Sequence, residues 1–296
     1  VSARVPALLV HGGAGADPAE SREELRAGLA TAVAAGWARL AAGASALDAV
    51  EAAVRALEEH PSFNAGRGSA LTSTGTVEMD ASIMEGAGLR NGAVACVSGL
   101  RHPVSAARAI LDDGRHSFFV GPAAEAHARA LGAEPCDPAE LITERQRRRL
   151  AALPAGRPAA GEAGTVGAVA IDAAGLVAAA TSTGGLLGQL PGRVGDSPLI
   201  GCGTYAENTL GGVSCTGDGE AIIRVVLARR ALEIARAVDD PRHACLIAVD
   251  VLREEGGGEG GLIMVDWKGR LGWAQSTPLM PVGYMTAGQP APVLPF

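Results

Sequence analysis

The sequence predicts an α+β fold in which stacked sheets are covered by helical layers. Two observations carry that expectation. Strand-like runs fall in two blocks, one on each side of residue 165, and each block is accompanied by helical stretches. The 296 residues are 48% hydrophobic and 19% charged, with 41 glycines. Such a chain can bury one large core and pack its backbones closely.

In order along the chain, residues 6–10 (PALLV) read as a buried strand that enters the loop His11-Gly12-Gly13-Ala14-Gly15. A helix is expected over 19–41. A second starts at Ser45, whose spacing to Asp48 matches a capping box, and stops near His60 because Pro61 disfavours helix before it. Residues 69–84 alternate around Thr74-Gly75 and predict a hairpin, followed by a strand at 92–98. Helices at 103–113, 122–132 and 138–150 surround a short strand at 117–120. Residues 151–164 carry Pro, Gly and Ala without a periodic apolar face and read as a linker. Beyond it come strands at 165–171, 176–183, 198–202 and 211–215, helices at 220–237 and 241–254, and strands at 261–265 and 271–276. No repeat of solenoid period is present.

Charge and cysteine usage narrow the function. The net charge of −7 without a basic run argues against nucleic acid or a membrane surface and favours a small-molecule substrate. Five cysteines without a CxxC pair fit reduced thiols and a cytoplasmic setting. Residues 1–10 show no signal-peptide pattern, and no apolar run is long enough for a membrane span. The only lysine, Lys268, sits in a turn-like Asp266-Trp267-Lys268-Gly269. Schiff-base chemistry and a phosphate loop are therefore not expected.

Thr165 opens a strand directly after the linker. Threonine favours strands anyway, so the position alone is ordinary. Cleavage of the Gly164–Thr165 bond would nevertheless expose an α-amine of pKa about 7.7 to 8.0, which can serve as general base for its own hydroxyl. Strands 165–171 and 177–183 flank a turn centred on residue 174. Pairing Ile171 with Val177 brings Thr165 opposite Thr183, and both threonines then face one side.

Seven strings occur in an order that resembles the plant-type asparaginase and isoaspartyl-peptidase family: His11-Gly12-Gly13-Ala14-Gly15, Phe63-Asn64-Ala65-Gly66, Glu78-Met79-Asp80-Ala81, Gly164-Thr165-Val166-Gly167, Ala180-Thr181-Ser182-Thr183-Gly184-Gly185, Gly192-Arg193-Val194-Gly195-Asp196 and Ser214-Cys215-Thr216-Gly217. These are N-terminal-nucleophile hydrolases. The resemblance implies a single domain over 1–296 with an αββα four-layer sandwich, self-cleaved into chains 1–164 and 165–296 and paired as a homodimer of such units. It implies hydrolysis of L-asparagine and β-aspartyl dipeptides through a β-aspartyl ester on Thr165.

By the same resemblance, Thr183 tunes the nucleophile, Thr216 and Gly217 form the oxyanion hole, and Asn64 steadies Thr165 or the scissile bond. Arg193 and Asp196 hold the α-carboxylate and α-ammonium, a division that suits a planar guanidinium and a carboxylate. No cofactor is expected for catalysis. The carbonyls of Leu57, Glu58, His60, Phe63, Ala65 and Arg67 match positions that hold a structural sodium ion.

Other readings stay open residue by residue. Arg193 and Asp196 also fit a surface ion pair, and Asn64 an Asx-turn. His11 reads as a satisfied structural histidine, since none of the six histidines has metal-ligand spacing. Gly201-Cys202-Gly203-Thr204-Tyr205-Ala206 matches a relaxed dinucleotide fingerprint without the acidic residue such a site needs. Asp112-Asp113 and Glu58-Glu59 are expected as solvated faces. Gln189, where many relatives carry lysine, puts substrate preference in doubt, and Ala163 does the same for the cleavage rate. Glycosylasparaginases lack the HGGAG string, and retention of Asp196 disfavours taspase-like endoproteases. A non-enzymatic, uncut binding protein is a further class.

Overall fold

The computed structural model describes residues 5–16, 21–154 and 164–296. Its first strand, β1 (Ala7–His11), is wholly buried and leads to helices α1 (Arg22–Ala41) and α2 (Ala46–Glu59). The capping box forms as expected: Ser45 accepts from Asp48 N at 3.2 Å, and the Asp48 carboxylate accepts from Ser45 N. Residues 19 and 20 of the expected first helix lie outside the described residues.

The expected hairpin at 69–84 is displaced. The turn at Thr74-Gly75 exists, closed by Gly75 N donating to Thr72 O, but it is flanked by a single bridge from Leu71 to Val77. The hairpin instead joins β2 (Met79–Glu85) to β3 (Asn91–Val97). Three neighbouring threonine hydroxyls, Thr72, Thr74 and Thr76, bond one another and take the chain out of the ladder, which is local chemistry that alternation ignores.

Helix α3 (Pro103–Asp113), strand β4 (Phe118–Val120) and helix α4 (Gly121–Ala130) fall near their expected places. The helix expected at 138–150 is two, α5 (Pro138–Leu141) and α6 (Glu144–Ala151), because Thr143 caps a fresh start by accepting from Gln146 N. Residues 155–163 of the linker lie outside the described residues, as does Ala163.

Strands β5 (Val166–Ile171) and β6 (Val177–Thr183) pair with Ile171 opposite Val177 and Val166 opposite Ser182, the register read from the sequence. The strand expected at 198–202 is a turn, and β7 (Thr204–Glu207) follows it. Gly201 has φ +94° there, which breaks extension and leaves Gly201-Cys202-Gly203 outside any strand-to-helix turn that could cradle a dinucleotide.

Strand β8 (Gly211–Gly217) precedes α7 (Gly219–Val225) and α8 (Leu227–Val238), expected as one helix. Val226 adopts φ +52° between them, and the free donors Ala228 N and Arg229 N bond Cys202 O and Gly201 O. Helix α9 (Pro241–Glu254) and strands β9 (Gly260–Asp266) and β10 (Leu271–Gln275) match expectation. Strand β11 (Val282–Thr286) was not expected; it closes the outer edge beyond β1.

Among the described residues two sheets form, one ordered β11-β1-β5-β6-β2-β3-β4 and the other β10-β9-β8-β7. Their facing sides share an apolar core that includes Leu9, Val169, Ala179, Ile263 and Val265. On the far side of the larger sheet, Leu8, Val10, Ala168 and Ala180 pack against Leu29, Val33, Val50 and Val54 of α1 and α2. On the far side of the smaller one, Val213 and Leu262 pack against Leu232 and Cys245 of α8 and α9. Strand faces therefore alternate between a sheet partner and a helix partner, and β1, β5 and β6 are buried throughout. No helix among the described residues is long and apolar enough to cross a membrane, and all five cysteines are free.

Candidate active site

The register of β5 and β6 fixes the first contact. The Thr165 hydroxyl, 4% exposed, donates to Thr183 Oγ1 at 3.2 Å. Thr183 in turn accepts from Gly185 N at 3.1 Å, so its oxygen is held from the loop that follows its own strand. Asn64 clamps the same loop: its Nδ2 donates to Gly185 O at 2.7 Å, its Oδ1 accepts from Ala70 N at 2.6 Å, and Gly184 N donates to its carbonyl. A Cβ placed on Gly164 would meet Asn64 Cβ at 3.1 Å, so Asn64 lies directly beside the bond before Thr165.

The HGGAG loop covers the other side of that bond. Gly13 has φ +104°, and a Cβ there would stand 2.8 Å from Gly164 Cα and 3.2 Å from Thr165 O. Only glycine allows such an approach. Ala14 N donates to Thr216 Oγ1 at 2.9 Å, so this loop also bridges to the end of β8, where Gly217 has φ +141°. A cavity of about 440 Å³ opens beside Gly164, lined by Gly12, Gly13, Ala14, Asn64 and Leu279 among others.

His11 is buried, but it is not the fully satisfied histidine expected, since its Nδ1 has no hydrogen-bond partner among the described residues. Its Nε2 lies 2.9 Å from Ser214 Oγ, and burial pushes the imidazole down to about 3, opposed by the Thr165 main chain beside it. Ser214 begins a chain of buried hydroxyls that sequence reasoning missed. Ser214 bonds Thr181 at 2.7 Å, Thr181 bonds Thr204, and Ser82 bonds both Thr204 Oγ1 at 2.8 Å and Ser197 O at 2.6 Å. These groups sit between the two sheets and tie β5's neighbours to the loop carrying Asp196. Their inward positions were legible from strand alternation, but their mutual contacts depend on how the sheets stack.

The charged half of the site is built around Arg193 and Asp196. Arg193 and Asp196 share the loop, yet among the described residues the two make no direct bond. The Arg193 guanidinium forks onto Glu220 of α7, with Nε to Oε1 at 2.9 Å and Nη2 to Oε2 at 2.8 Å. Gln189 Oε1 lies 3.5 Å from Nη1, and Gln189, 3% exposed, also accepts from Leu186 N. It thus braces the loop. Asp196 is 3% exposed, its Oδ2 has no hydrogen-bond partner among the described residues, and burial pushes its carboxyl up to about 7. Its own main chain and Arg193 pull the other way; Asp80 and Glu220 add to the rise.

Three glycines line this pair. A Cβ on Gly219 would stand 2.8 Å from Arg193 Nη2 and 3.0 Å from Asp196 Oδ1; one on Gly195 or Gly203 would crowd the same groups. The space over a cation and an anion is thereby kept for something small. Nε and Nη2 donate to Glu220, and a Cβ on Gly195 would stand 2.9 Å from Nη1, so both ends of the guanidinium border this space.

Glu58 corrects a sequence expectation. It is 1% exposed rather than solvated, and its carboxylate takes Ser182 Oγ at 2.7 Å, Val104 N at 3.0 Å and His102 Nδ1 at 3.2 Å. A carboxylate at the start of α3 suits that helix terminus. Glu59, by contrast, is at the surface with Arg101, and Asp112 and Asp113 pair with Arg108 and Arg115 as solvated acids do.

The loop after α2 is consistent with a main-chain cation site. Gly66 (φ +53°) and Gly68 (φ +107°) fold it so tightly that a Cβ on Gly68 would stand 2.7 Å from Phe63 O. Leu57 O, Glu58 O and His60 O each accept one backbone N–H and keep a second lone pair. Neutral carbonyl oxygens suit hard cations, and the Glu58 carboxylate points elsewhere.

A family model described as asparaginase matches residues 4–294. An isoaspartyl peptidase/L-asparaginase of Danio rerio is 41% identical over 290 residues, covering 96% of this chain and 93% of that protein. One of Rattus norvegicus is 46% identical over 272 residues, covering 88% and 80%. A plant-type L-asparaginase of Thermococcus kodakarensis is 42% identical over 306 residues, covering 97% and 98%.

Proposed function

The chain belongs to the asparaginase family, and from that premise we propose that it is an N-terminal-threonine amidohydrolase that hydrolyses L-asparagine and β-aspartyl dipeptides. The observation that carries this reading is the Thr165–Thr183 contact at the head of β5, beside Gly164, Asn64 and the HGGAG loop. The layers of helix and sheet support the αββα four-layer sandwich of the N-terminal-nucleophile hydrolases.

Self-cleavage of Gly164–Thr165 yields chains 1–164 and 165–296. The Thr165 hydroxyl attacks the Gly164 carbonyl, an ester forms and the α-amine is freed as the peptide C–N bond breaks, and water then hydrolyses the ester to the Gly164 carboxylate and the Thr165 hydroxyl. In the mature enzyme that amine takes the hydroxyl proton, and Thr165 Oγ1 attacks the side-chain carbonyl of the substrate. Donors at Thr216 and Gly217 hold the oxyanion, a role worth about 2.7 to 4 kcal/mol per donor. Ammonia or an amino acid leaves, and water hydrolyses the β-aspartyl ester on Thr165. Thr183 orients the nucleophile, and Asn64 holds the loop behind it.

Recognition rests on charge. The Arg193 guanidinium takes the α-carboxylate and Asp196 the α-ammonium, with Glu220 fixing the guanidinium plane. Small glycines around the pair favour a free aspartyl moiety over a residue inside a polypeptide. The main-chain carbonyls of Leu57, Glu58, His60, Phe63, Ala65 and Arg67 hold a sodium ion that stiffens the loop carrying Asn64. Two-chain units pair as a homodimer, and the free thiols suit the cytoplasm.

Intact-mass measurement of the purified protein, followed by assay on asparagine, β-Asp-Leu and α-Asp-Leu, tests the reading. Two fragments, the smaller beginning at Thr165, should accompany hydrolysis of the first two substrates. The α-linked isomer should react at least about a hundredfold more slowly in kcat/KM, since its carboxylate is consumed in the peptide bond. Thr165→Ala should stay one inactive chain. A single uncut but active species, or equal release from both isomers, overturns it.

A further inference from the structure

Asp80 is a buried carboxylate that the mechanism above does not use. It is 2% exposed, on β2, between Met79 and Ala81 where the ladder with β3 slips register. A bulge re-aims the side chain it carries. On the β6 side Asp80 stands opposite Thr183, the partner of Thr165. From β3, Cys96 turns its N–H onto Oδ1 at 2.9 Å, from a backbone held at φ +52°, a conformation costly for a non-glycine residue. From the substrate loop, Gly195 N points to Oδ2 at 3.4 Å. From the strand beside Thr183, one carboxylate therefore touches β3 and the main chain between Arg193 and Asp196.

We propose that Asp80 is a positioning residue that anchors the Arg193–Asp196 loop to the nucleophile's sheet and governs the charge of Asp196 for binding the substrate ammonium. The proposal rests on the reading of Asp196 as the ammonium's partner. The charged and titratable groups facing the two acids are Glu78, Cys96 and Arg193 at Asp80, and Arg193, Glu220 and the neutral thiols Cys202 and Cys215 at Asp196. Burial pushes Asp80 up to about 6, with Cys96 N, Gly195 N and Arg193 opposing and Glu78 adding. Its charge is felt by Asp196, which it holds toward the protonated form, and by the Cys96 thiol, which burial first and then Asp80 raise to about 11. Two buried acids of which one feels the other's charge titrate as a coupled pair. An arriving α-ammonium restores balance, so the site is tuned to a cation and discriminates against a neutral α-amide in its place.

The test is the pH dependence of L-aspartate inhibition in the self-cleaved enzyme, for wild type, Asp80→Asn, Asp80→Glu and Asp196→Asn. Fragment formation and melting temperature are recorded first. In Asp80→Asn the pH of half-maximal affinity should fall, making aspartate about threefold or more tighter at pH 6 relative to pH 8 than in wild type, because a neighbouring negative charge is gone. Asp80→Glu keeps the charge and should keep the midpoint while weakening binding. If Asp196→Asn abolishes the midpoint while Asp80→Asn leaves it where it was, the proposal is overturned and the ammonium reading stands. If Asp196→Asn itself keeps the wild-type midpoint, the ammonium reading fails and takes the proposal with it. Should Asp80→Asn not cleave, Asp80→Glu still decides: a midpoint displaced despite the retained charge counts against the assignment.

Discussion

The two halves of the site are built on opposite principles. Around Thr165 the groups are neutral: the Thr183 hydroxyl, the Asn64 amide and the main chain of the HGGAG loop, all set by strand register and glycine backbones. Around Arg193 they are ionisable and come from three elements: Asp196 from the same loop, the buried Asp80 from β2 and the exposed Glu220 from α7. A nucleophile activated by its own amine gains from a fixed, uncharged surrounding that does not disturb that amine's pKa. A clamp for a zwitterion must hold opposite charges in a place dry enough for them to matter. On the proposed reading, neutral groups carry the chemistry and charged ones the recognition.

Disabling the charged half alone tests that division hardest. Arg193→Ala should leave Gly164–Thr165 cleavage intact, because the scissile bond offers no free carboxylate. It should raise KM for asparagine by about a hundredfold or more, two charge-assisted bonds of about 1.5 to 3 kcal/mol each being lost. Steady-state kinetics on the two-chain product checks it. Wild-type KM, or a chain that no longer cuts, would mean that the halves are not separable.

A smaller effect is expected from the neutral half. Thr183→Val removes one hydroxyl partner from Thr165, worth about 1 kcal/mol. It should lower kcat roughly fivefold and slow self-cleavage with KM little changed. A rise confined to KM would move Thr183 to the recognition side.

The smallest effect concerns stability. Asp196 has its carboxyl raised from 3.8 to about 7 in the fold. The protonated form is therefore favoured by folding, and this contribution is complete below pH about 4 and lost as pH rises through about 7. Asp196→Asn should flatten that decline, so that thermal melts at pH 4 and pH 8 differ by a few degrees less than in wild type. An unchanged difference would place the acid's cost elsewhere.

How much of this was legible in the sequence follows from the range of each interaction. The hairpin of β5 and β6 spans few residues, so its turn and alternation determined the Thr165–Thr183 pairing. The capping box at Ser45 and the breaks around Pro61 were equally local. Helices expected at 138–150 and 220–237 broke because Thr143 caps a new start and Val226 is forced into φ +52° by contacts with residues 201–202. β11 has a weak signal of its own and exists because β1 offers an edge to pair with.

The charged residues were decided only in three dimensions. Sequence placed Arg193 and Asp196 three apart, but Glu220 lies 27 positions from Arg193 and takes its fork, and Asp80 reaches Gly195 across 115 positions. Glu58 and Glu59 are adjacent and chemically identical, and burial under α3 beside Ser182 alone makes one a buried acceptor and leaves the other in water. Sequence fixes what the neighbouring backbone dictates, since dihedral preference and side-chain period act over a few residues. Which distant charge shares a dry space with which is set by the stacking of sheets and loops, because in that space the nearest partner, whatever its distance along the chain, offsets the cost of burial.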